Sequence, residues 1–210
     1  MNGVITDDEE LHEIATKEVF VDIGINLSSK NYQEICLGRT DIAAFIDLFE
    51  KFEISEQSVE DLIARKSAKY QKLVEGNLKV YPGVLTLINN LYKKYTLALT
   101  SSSTYDEVEV VLNQLGIKDM FQVIVTSKDV KYGKPDPEPY ILTAKKLKVS
   151  CENCIVIEDS ANGVLSAKRA GMICIAIPNT ENSKNLSKAD RIINSYLDLT
   201  EEFIEYYDLK

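Results

Sequence analysis

From about residue 79 onward, the sequence alternates short apolar runs with segments of helical periodicity, and this alternation constrains the fold more than any other feature. Each run is short and nearly all apolar, as expected of strands that are covered on both faces. The predicted strands are residues 96–100, 123–126, 154–157 and 173–177. Strands that alternate with helices form parallel sheets, so we predict an α/β fold whose site lies at the carboxyl ends of the strands.

Amphipathic helices are predicted between these strands. Apolar residues with helical spacing precede a stop at Gly116, namely Val108, Val111, Leu112 and Leu115. A second apolar stripe covers residues 140–147, and a third helix is predicted over residues 162–170. Helices therefore follow strands in regular order, as the crossovers of a parallel sheet require.

The residues before this block have a different pattern. A helical face ends at Gly24, and helical periodicity continues over residues 42–52 and 59–74 without a convincing strand. The sequence thus predicts a helical domain over residues 8–78. The α/β core is then formed by residues 1–7 and 79–210.

The net charge of −9 results from 33 acidic and 24 basic residues, which argues against a broad basic surface for nucleic acid. A few basic side chains can nevertheless converge on a small anionic substrate. No apolar run approaches membrane-spanning length, and the acidic N-terminus lacks the features of a signal peptide. We therefore expect a cytoplasmic monomer without nucleic-acid or membrane partners.

The number and spacing of the cysteines predict that their thiols are free. Cys151 and Cys154 form a CxxC pair, but the sequence has no second pair and a single histidine, His12. A zinc site would lack ligands, and a redox pair would lack an electropositive helix start.

Polar residues follow two of the predicted strands. The run Ser101-Ser102-Ser103 offers hydroxyl and N–H groups that can hold a phosphate, although serine also caps helices for structural reasons. Lys134 lies in a turn that Pro135 and Pro137 rigidify. We interpret it as a phosphate-binding charge at the catalytic end of the sheet rather than a solvated lysine.

Two acidic residues, Glu158 and Asp159, follow the third predicted strand. Adjacent carboxylates at the end of a buried strand repel each other and are costly to desolvate. A Mg²⁺ ion relieves this conflict, because it prefers oxygen ligands. An acidic turn that caps the next helix is the alternative, but it accounts for only one of the two carboxylates.

Several of these segments, in their order and spacing, resemble motifs of the haloacid dehalogenase (HAD) superfamily. Ser101, Gly133-Lys134-Pro135-Asp136-Pro137 and Glu158-Asp159-Ser160 with Gly163 resemble motifs two to four, and residues 2–13 resemble the tail of motif one. The resemblance covers essentially the whole chain and is closest to β-phosphoglucomutase-like and phosphoglycolate phosphatase-like members. It implies a HAD-like, Rossmann-like parallel sheet with an inserted α-helical cap domain.

The resemblance also implies a Mg²⁺-dependent phosphatase or phosphotransferase that acts on a small phosphorylated metabolite, such as a sugar phosphate, through an aspartyl-phosphate. Ser101 would bind the phosphoryl oxygens, and Lys134 would neutralise the phosphate and the nucleophile. Metal binding is implied for Glu158, Asp159 and the backbone carbonyl of Asn2. Substrate contacts are implied for Gly3, His12, Arg39 and Ser102.

Two features depart from the family's pattern. The first core strand is absent from the printed sequence, and the nucleophilic aspartate would directly precede Met1, so the chain as printed is expected to be inactive. Asn2 occupies the general acid/base position, where an amide cannot transfer a proton near neutral pH. Either the protein begins several residues earlier or it is a non-catalytic relative. We favour the former, because losing a central strand would sacrifice two hydrogen-bonded ladders.

The sequence leaves some alternatives open. A phosphatase and a β-phosphoglucomutase-type isomerase differ in whether water or a sugar hydroxyl reaches the aspartyl-phosphate, and a catalytically silent protein would bind ligand through the same cleft. Two interpretations of Arg39 have equal support: it binds a distal phosphate or polar group of the substrate, or it is a surface residue. Lys66 lies on a charged helix face and is expected to be solvated. His12 is expected to act at the hinge or on the substrate.

Overall fold

The computed structural model describes residues 1–200, 203 and 204 of the 210-residue chain. Its α-helices are α1 (Glu9–Val21), α2 (Ser29–Ile35), α3 (Asp41–Lys51), α4 (Val59–Val74), α5 (Val84–Tyr92), α6 (Tyr105–Leu115), α7 (Glu138–Leu147) and α8 (Ala161–Arg169). Its strands are β1 (Leu97–Thr100), β2 (Phe121–Val125), β3 (Ile155–Glu158), β4 (Ile173–Ala176) and β5 (Arg191–Ile192). None of these helices combines the length and the apolar character needed to cross a membrane. The remaining part of the predicted core, at residues 201, 202 and 205–210, lies outside the described residues.

The paired strands are parallel and form two separate sheets. β1 pairs with β2, whereas β4 pairs with both β3 and β5. Helices separate most of the strands along the chain, so the predicted α/β fold is confirmed. Within the residues that the structure describes, no ladder joins β1 to β3.

Two layers of helices cover the sheets. α5 and α6 contribute Val84 and Val111 to the larger apolar cluster. α7 and α8 contribute Ala144 and Val164 to a second cluster, which also contains Val156 of β3. Burial on both faces explains why the predicted strands are nearly all apolar.

Helices α1 to α4 form a helical unit with its own apolar cluster. Phe20, Phe45 and Leu62 are fully buried in that cluster. Thr40 and Ser58 begin α3 and α4, because their hydroxyls accept hydrogen bonds from backbone N–H groups of the first turn. The domain boundaries inferred from the sequence stay a prediction.

Candidate active site

Ser101, Lys134 and Glu158 lie near the carboxyl ends of β1 and β3, and a cavity of about 480 Å³ extends from there between the sheets and toward the helical unit. The predicted site residues that line it are Asn2, His12, Arg39, Ser101, Ser102, Lys134, Glu158 and Asp159. Gly3 lies beside them, because a Cβ atom added to it would stand 1.8 Å from Asp159 Oδ2. Parts of the chain that are distant in sequence therefore meet in one place. The individual roles of these residues stay predictions.

Lys134 and Glu158 form a buried ion pair within the cavity. The Lys134 ammonium contacts Glu158 Oε1 and lies 3.4 Å from the backbone oxygen of Thr100. Tyr140 donates a further hydrogen bond to the same carboxylate. Burial raises the pKa of Glu158, but the Lys134 charge and the two hydrogen bonds outweigh it, so the pKa is lowered overall. Glu158 therefore keeps its negative charge in a buried position.

Asp159 is the second buried carboxylate. Burial and the charge of Glu158 raise the pKa of Asp159 to about 7, although a hydrogen bond from Thr180 opposes the shift. Within the described residues, no group of three or more His, Cys, Asp and Glu side chains could hold a metal ion. A metal would thus need backbone or hydroxyl oxygens besides the two carboxylates. Such a set of hard oxygen donors fits Mg²⁺.

Helix capping does not account for these polar residues. The N-cap of α8 is Ser160, whose hydroxyl accepts a hydrogen bond from the Gly163 N–H at 3.1 Å. Helix α6 begins at Thr104, which forms a capping box with Glu107. Glu158 at the end of β3, Asp159 after it and the hydroxyl of Ser101 are therefore not required to begin a helix.

Asn2 is held by the start of α1. Its Nδ2 donates to the Glu9 carboxylate, and its Oδ1 accepts from the Asp8 N–H at 3.4 Å. Burial raises the pKa of Glu9, although hydrogen bonds from Tyr32 and Asn2 oppose the shift. Glu9 lines the cavity, and sequence reasoning missed it, because acidic residues in the first turn of a helix are common for electrostatic reasons alone.

His12 is a buried, neutral imidazole. Its ring stacks on Tyr70 with 4.0 Å between the ring centroids. Lys66 Nζ lies 3.0 Å from His12 Nδ1, and because an ammonium only donates, the proton of the neutral ring is on Nε2, 3.8 Å from Asp8 Oδ2. Burial and the charge of Lys66 lower the pKa of His12 to about 3.

Lys66 is not solvated, so the expectation from its charged helix face is wrong. It is 2% exposed, and its ammonium lies 2.9 Å from both Asp41 Oδ2 and Glu107 Oε1. Burial lowers the pKa of Lys66, but the two carboxylates outweigh this effect and raise it overall. The partners are 25 and 41 positions away, so no local pattern marks them. Lys66 joins α4 to α6 and also lines the cavity.

Arg39 lines the cavity but has partners within the helical unit. Its guanidinium lies 2.7 Å from Asp47 Oδ2 and donates to the backbone oxygens of Ile35 and Ala43 at 3.0 and 3.2 Å. Binding a substrate through this guanidinium would require sharing these bonds. Its role as a ligand stays a prediction.

Known proteins are similar to this chain in sequence and in fold. A family model described as haloacid dehalogenase-like hydrolase matches residues 1–177. The YhcW protein of Bacillus subtilis (strain 168) is 41% identical over 140 residues, and the match spans 62% of this chain and 62% of that protein. Hexitol phosphatase B of Escherichia coli (strain K12) is 29% identical over 205 residues, which are 95% of this chain and 91% of that protein.

A solved structure extends the similarity to the architecture. The β-phosphoglucomutase of Clostridium difficile matches with a TM-score of 0.84 and 28% identity. The match covers 99% of this chain and 94% of that one. Both the helical unit and the α/β part therefore have counterparts in that structure.

Proposed function

Because the chain belongs to the haloacid dehalogenase-like hydrolase family, we propose that it is a phosphatase of small phosphorylated metabolites, with a sugar phosphate as its substrate. The similarity to hexitol phosphatase B supports this substrate class. The observation that carries the proposal is the position of Lys134 beside Glu158 and Asp159 in one cavity at the ends of the strands. A fixed cation and an acidic pair are groups that stabilise phosphoryl transfer.

In the proposed complex, the phosphoryl group lies between Ser101 and Lys134. The Ser101 hydroxyl donates to a phosphoryl oxygen, and the Lys134 ammonium offsets the negative charge. This ammonium already pairs with Glu158, so the phosphate shares it with that carboxylate. The backbone N–H of Ser101 is not available to the substrate, because it donates to the Val125 oxygen at 2.9 Å.

The covalent step requires a carboxylate nucleophile, which we place on an aspartate joined to the amino group of Met1. Its oxygen forms a bond to phosphorus while the bond between phosphorus and the sugar oxygen breaks, and the sugar oxygen takes up a proton from solvent water. Water then attacks phosphorus and releases inorganic phosphate and the free carboxylate. Asn2, at the position of the proton donor, can offer only a hydrogen bond.

Mg²⁺ is the proposed cofactor. Glu158, Asp159 and the backbone carbonyl of Asn2 would hold it, since all three offer the oxygen donors that a hard cation prefers. When bound, Mg²⁺ offsets the repulsion between the nucleophile and the phosphate. The raised pKa of Asp159 supports this assignment, because a cation next to the carboxyl would favour its charged form.

Two other functions remain candidates for specific reasons. The similarity to a β-phosphoglucomutase favours an isomerase in which a sugar hydroxyl, rather than water, receives the phosphoryl group. The amide of Asn2 in place of an acid favours a catalytically silent protein that binds a phosphorylated ligand.

Phosphate release from sugar phosphates and from p-nitrophenyl phosphate tests the proposal. The chain, extended before Met1 by an apolar strand that ends in Asp, is compared with the same extension ending in Asn, in Mg²⁺ and in EDTA. We expect turnover only with the Asp extension and Mg²⁺. Lys134→Ala should abolish it, whereas Lys131→Ala, on an exposed side chain of the same turn, should not.

The other outcomes of this experiment separate the alternatives. An isomeric sugar phosphate without net phosphate release would favour the mutase. Ligand binding in calorimetry without turnover in any variant would favour the silent binding protein. Turnover by the chain as printed would contradict the position that we give to the nucleophile.

A further inference from the structure

The part of the cavity that extends toward the helical unit, here called the distal part, is lined by polar side chains of that unit. These are Glu9, His12, Tyr32, Arg39 and Lys66. With the phosphoryl group between Ser101 and Lys134, as proposed above, the remainder of a substrate extends toward these side chains. The charges and free hydrogen-bonding groups of the distal part therefore decide what a substrate can carry beyond its phosphate.

All three hydrogen-bond donors of Lys66 are already used. An ammonium has three N–H groups. The Lys66 ammonium lies 3.0 Å from His12 Nδ1 and 2.9 Å from both Asp41 Oδ2 and Glu107 Oε1. Each N–H group therefore has an acceptor, and two carboxylates offset the positive charge. A ligand phosphate would reach this ammonium only by displacing one of these partners, and a displaced carboxylate would lose its cation in a buried place.

Arg39 has N–H groups left for a ligand, but its charge is paired. A guanidinium has five N–H groups. In the described part of the chain, three of them donate to Asp47 Oδ2 and to the backbone oxygens of Ile35 and Ala43. The Asp47 carboxylate, at 2.7 Å, offsets the positive charge. The remaining N–H groups suit an uncharged acceptor, such as the oxygen of a hydroxyl group.

Carboxylates outnumber cations around the distal part. Three carboxylates pair with Arg39 and Lys66, and the carboxyl group of Glu9 also lines the cavity. The pairing residues are Asp41, Asp47 and Glu107. Even if Glu9 carried a proton, three negative charges would stand against two positive ones. A second phosphate on the ligand would therefore meet net negative charge in a partly buried place, where salt screens weakly.

Glu9 offers acceptors to hydroxyl groups. Its Oε1 accepts a hydrogen bond from the Tyr32 hydroxyl at 2.6 Å, and its Oε2 accepts one from Asn2 Nδ2. A carboxylate has about four lone-pair sites, so about two of them remain for a ligand. A hydroxyl group can donate to such a site, whereas an ionised phosphate has no proton to donate and is repelled. The distal part thus favours an uncharged ligand with several hydroxyl groups.

From the used donors of Lys66, the paired charge of Arg39 and the excess of carboxylates, we propose that the site takes phosphate monoesters whose remaining part is uncharged and bears hydroxyl groups, and that it discriminates against bisphosphates by charge. Repulsion of the wrong ligand is an established source of specificity. The inference rests on the function proposed above for the position of the phosphoryl group. Asp47 is then a specificity-determining residue, because its carboxylate offsets the charge of Arg39.

Calorimetric binding to the full chain in Mg²⁺ tests the proposal with two matched pairs of probes. Glucose 6-phosphate is compared with glucose 1,6-bisphosphate, and fructose 6-phosphate with fructose 1,6-bisphosphate. We expect each monophosphate to bind at least about tenfold more tightly than its bisphosphate. Asp47→Asn, which releases the charge of Arg39, should reduce this ratio by more than about threefold. Glu50→Gln removes one charge from an exposed position of the same helix and should change the ratio by less than about twofold.

Equal or tighter binding of the bisphosphates would overturn the proposal, and so would a lack of binding by all four probes. Equal effects of Asp47→Asn and Glu50→Gln would also overturn it, because the preference would then reflect the net charge of the whole protein. Turnover of p-nitrophenyl phosphate by the Asp-extended chain reports on the phosphatase separately, since this ester has neither a hydroxyl group nor a second phosphate. If that turnover fails while the monophosphates still bind more tightly, the phosphatase is wrong and the charge preference stands.

Discussion

At the turn after Met1, the side chain of Asn2 is an amide, which cannot act as a general acid. Asn2 stands where the family resemblance implies an acid, and its Nδ2 donates to Glu9. An amide does not transfer protons near neutral pH, so the sugar oxygen would leave without acid catalysis from this position.

Asn2→Asp should therefore accelerate the enzyme that carries the Asp-ending extension. We expect kcat for sugar phosphates to rise by about 10²- to 10⁴-fold, the range typical of general acid catalysis. The gain should be much smaller for p-nitrophenyl phosphate, whose leaving group needs little protonation. Asn2→Ser serves as the control without a titratable group. Equal gains for both substrates would contradict an acid/base role.

Gly3 and Gly24 offer a matched pair for testing the close approach to Asp159. Both have a left-handed backbone, with φ of 77° and 82°. A Cβ atom at Gly3 would stand 1.8 Å from Asp159 Oδ2, whereas nothing lies within 4 Å of one at Gly24. Gly24→Ala should cost about 1–2 kcal/mol of unfolding free energy, from backbone strain alone.

Gly3→Ala should cost more than about 3 kcal/mol, because the Asp159 side chain must also move. Urea denaturation of both variants measures the difference in unfolding free energy. Similar costs at the two glycines would show that the contact with Asp159 is unimportant for stability.

Residues in short, ordered motifs could be predicted from the sequence, and residues defined by distant partners could not. Lys134, Glu158 and Asp159 follow strand ends in a recognisable order, and the structure brings them together. No local sequence pattern identifies Lys66 or Glu9, because their partners belong to helices from other parts of the chain.

Among the elements, strand prediction succeeded where burial on both faces leaves an apolar run. The structure contains β1 to β4 close to the expected positions. The two-residue strand β5 was missed, because pairing with β4 rather than its own composition defines it. Helix α2 has only seven residues, too few for a clear periodic pattern. Helix α5 follows the joint between the two predicted units and was not identified, although one of its faces is apolar.

The buried ammonium of Lys66 contributes an ion pair to the contact between α4 and α6. Lys66→Met should cost about 3–5 kcal/mol, because it leaves Asp41 and Glu107 without their cation in a buried place. Lys69→Met on the same helix should cost at most about 1 kcal/mol, because Lys69 pairs only at the surface. Chemical denaturation of both variants measures these costs. Equal costs would contradict the structural role given to Lys66.

At the scale of the whole molecule, His12 should make a contribution that lowers the free energy of unfolding in mildly acidic solution. The pKa of His12 is lowered to about 3 by burial and Lys66, against about 6.5 in the unfolded chain. Between these values the unfolded state binds more protons, so the free energy of unfolding falls as pH falls below about 6.5. Through His12, the free energy of unfolding changes by about 1.4 kcal/mol per pH unit in this range. Asp8 and Asp41 also face the ring, and they reduce the shift without reversing it.

Urea denaturation between pH 5 and 7.5 measures this effect in the wild-type chain and in His12→Gln. The raised pKa values of Glu9 and Asp159 have the opposite effect on stability, but they are common to both proteins and cancel in the difference. The variant should lose the His12 component of the pH dependence. Parallel profiles for the two proteins would show that His12 does not stay neutral in the folded state.

For the whole molecule, the α/β class follows from local patterns, because β1 to β4 and the longer helices each have a recognisable sequence pattern. The arrangement of the helical unit relative to the sheets does not follow from local sequence patterns. It depends on contacts such as those of Lys66, which link Asp41 to Glu107 across the two parts of the molecule. The cavity between β1 and β3 likewise results from how whole sheets are placed.

The contacts of the Lys66 ammonium with His12, Asp41 and Glu107 affect how fast the helices around it can separate. Any motion that parts α4 from α6 must separate the Lys66 ammonium from Glu107, while Asp41, in the helical unit, can move with it. The barrier to such a motion then contains an electrostatic component in addition to the separation of apolar surfaces. Breaking this ion pair would therefore be one step of any motion that separates the two helices.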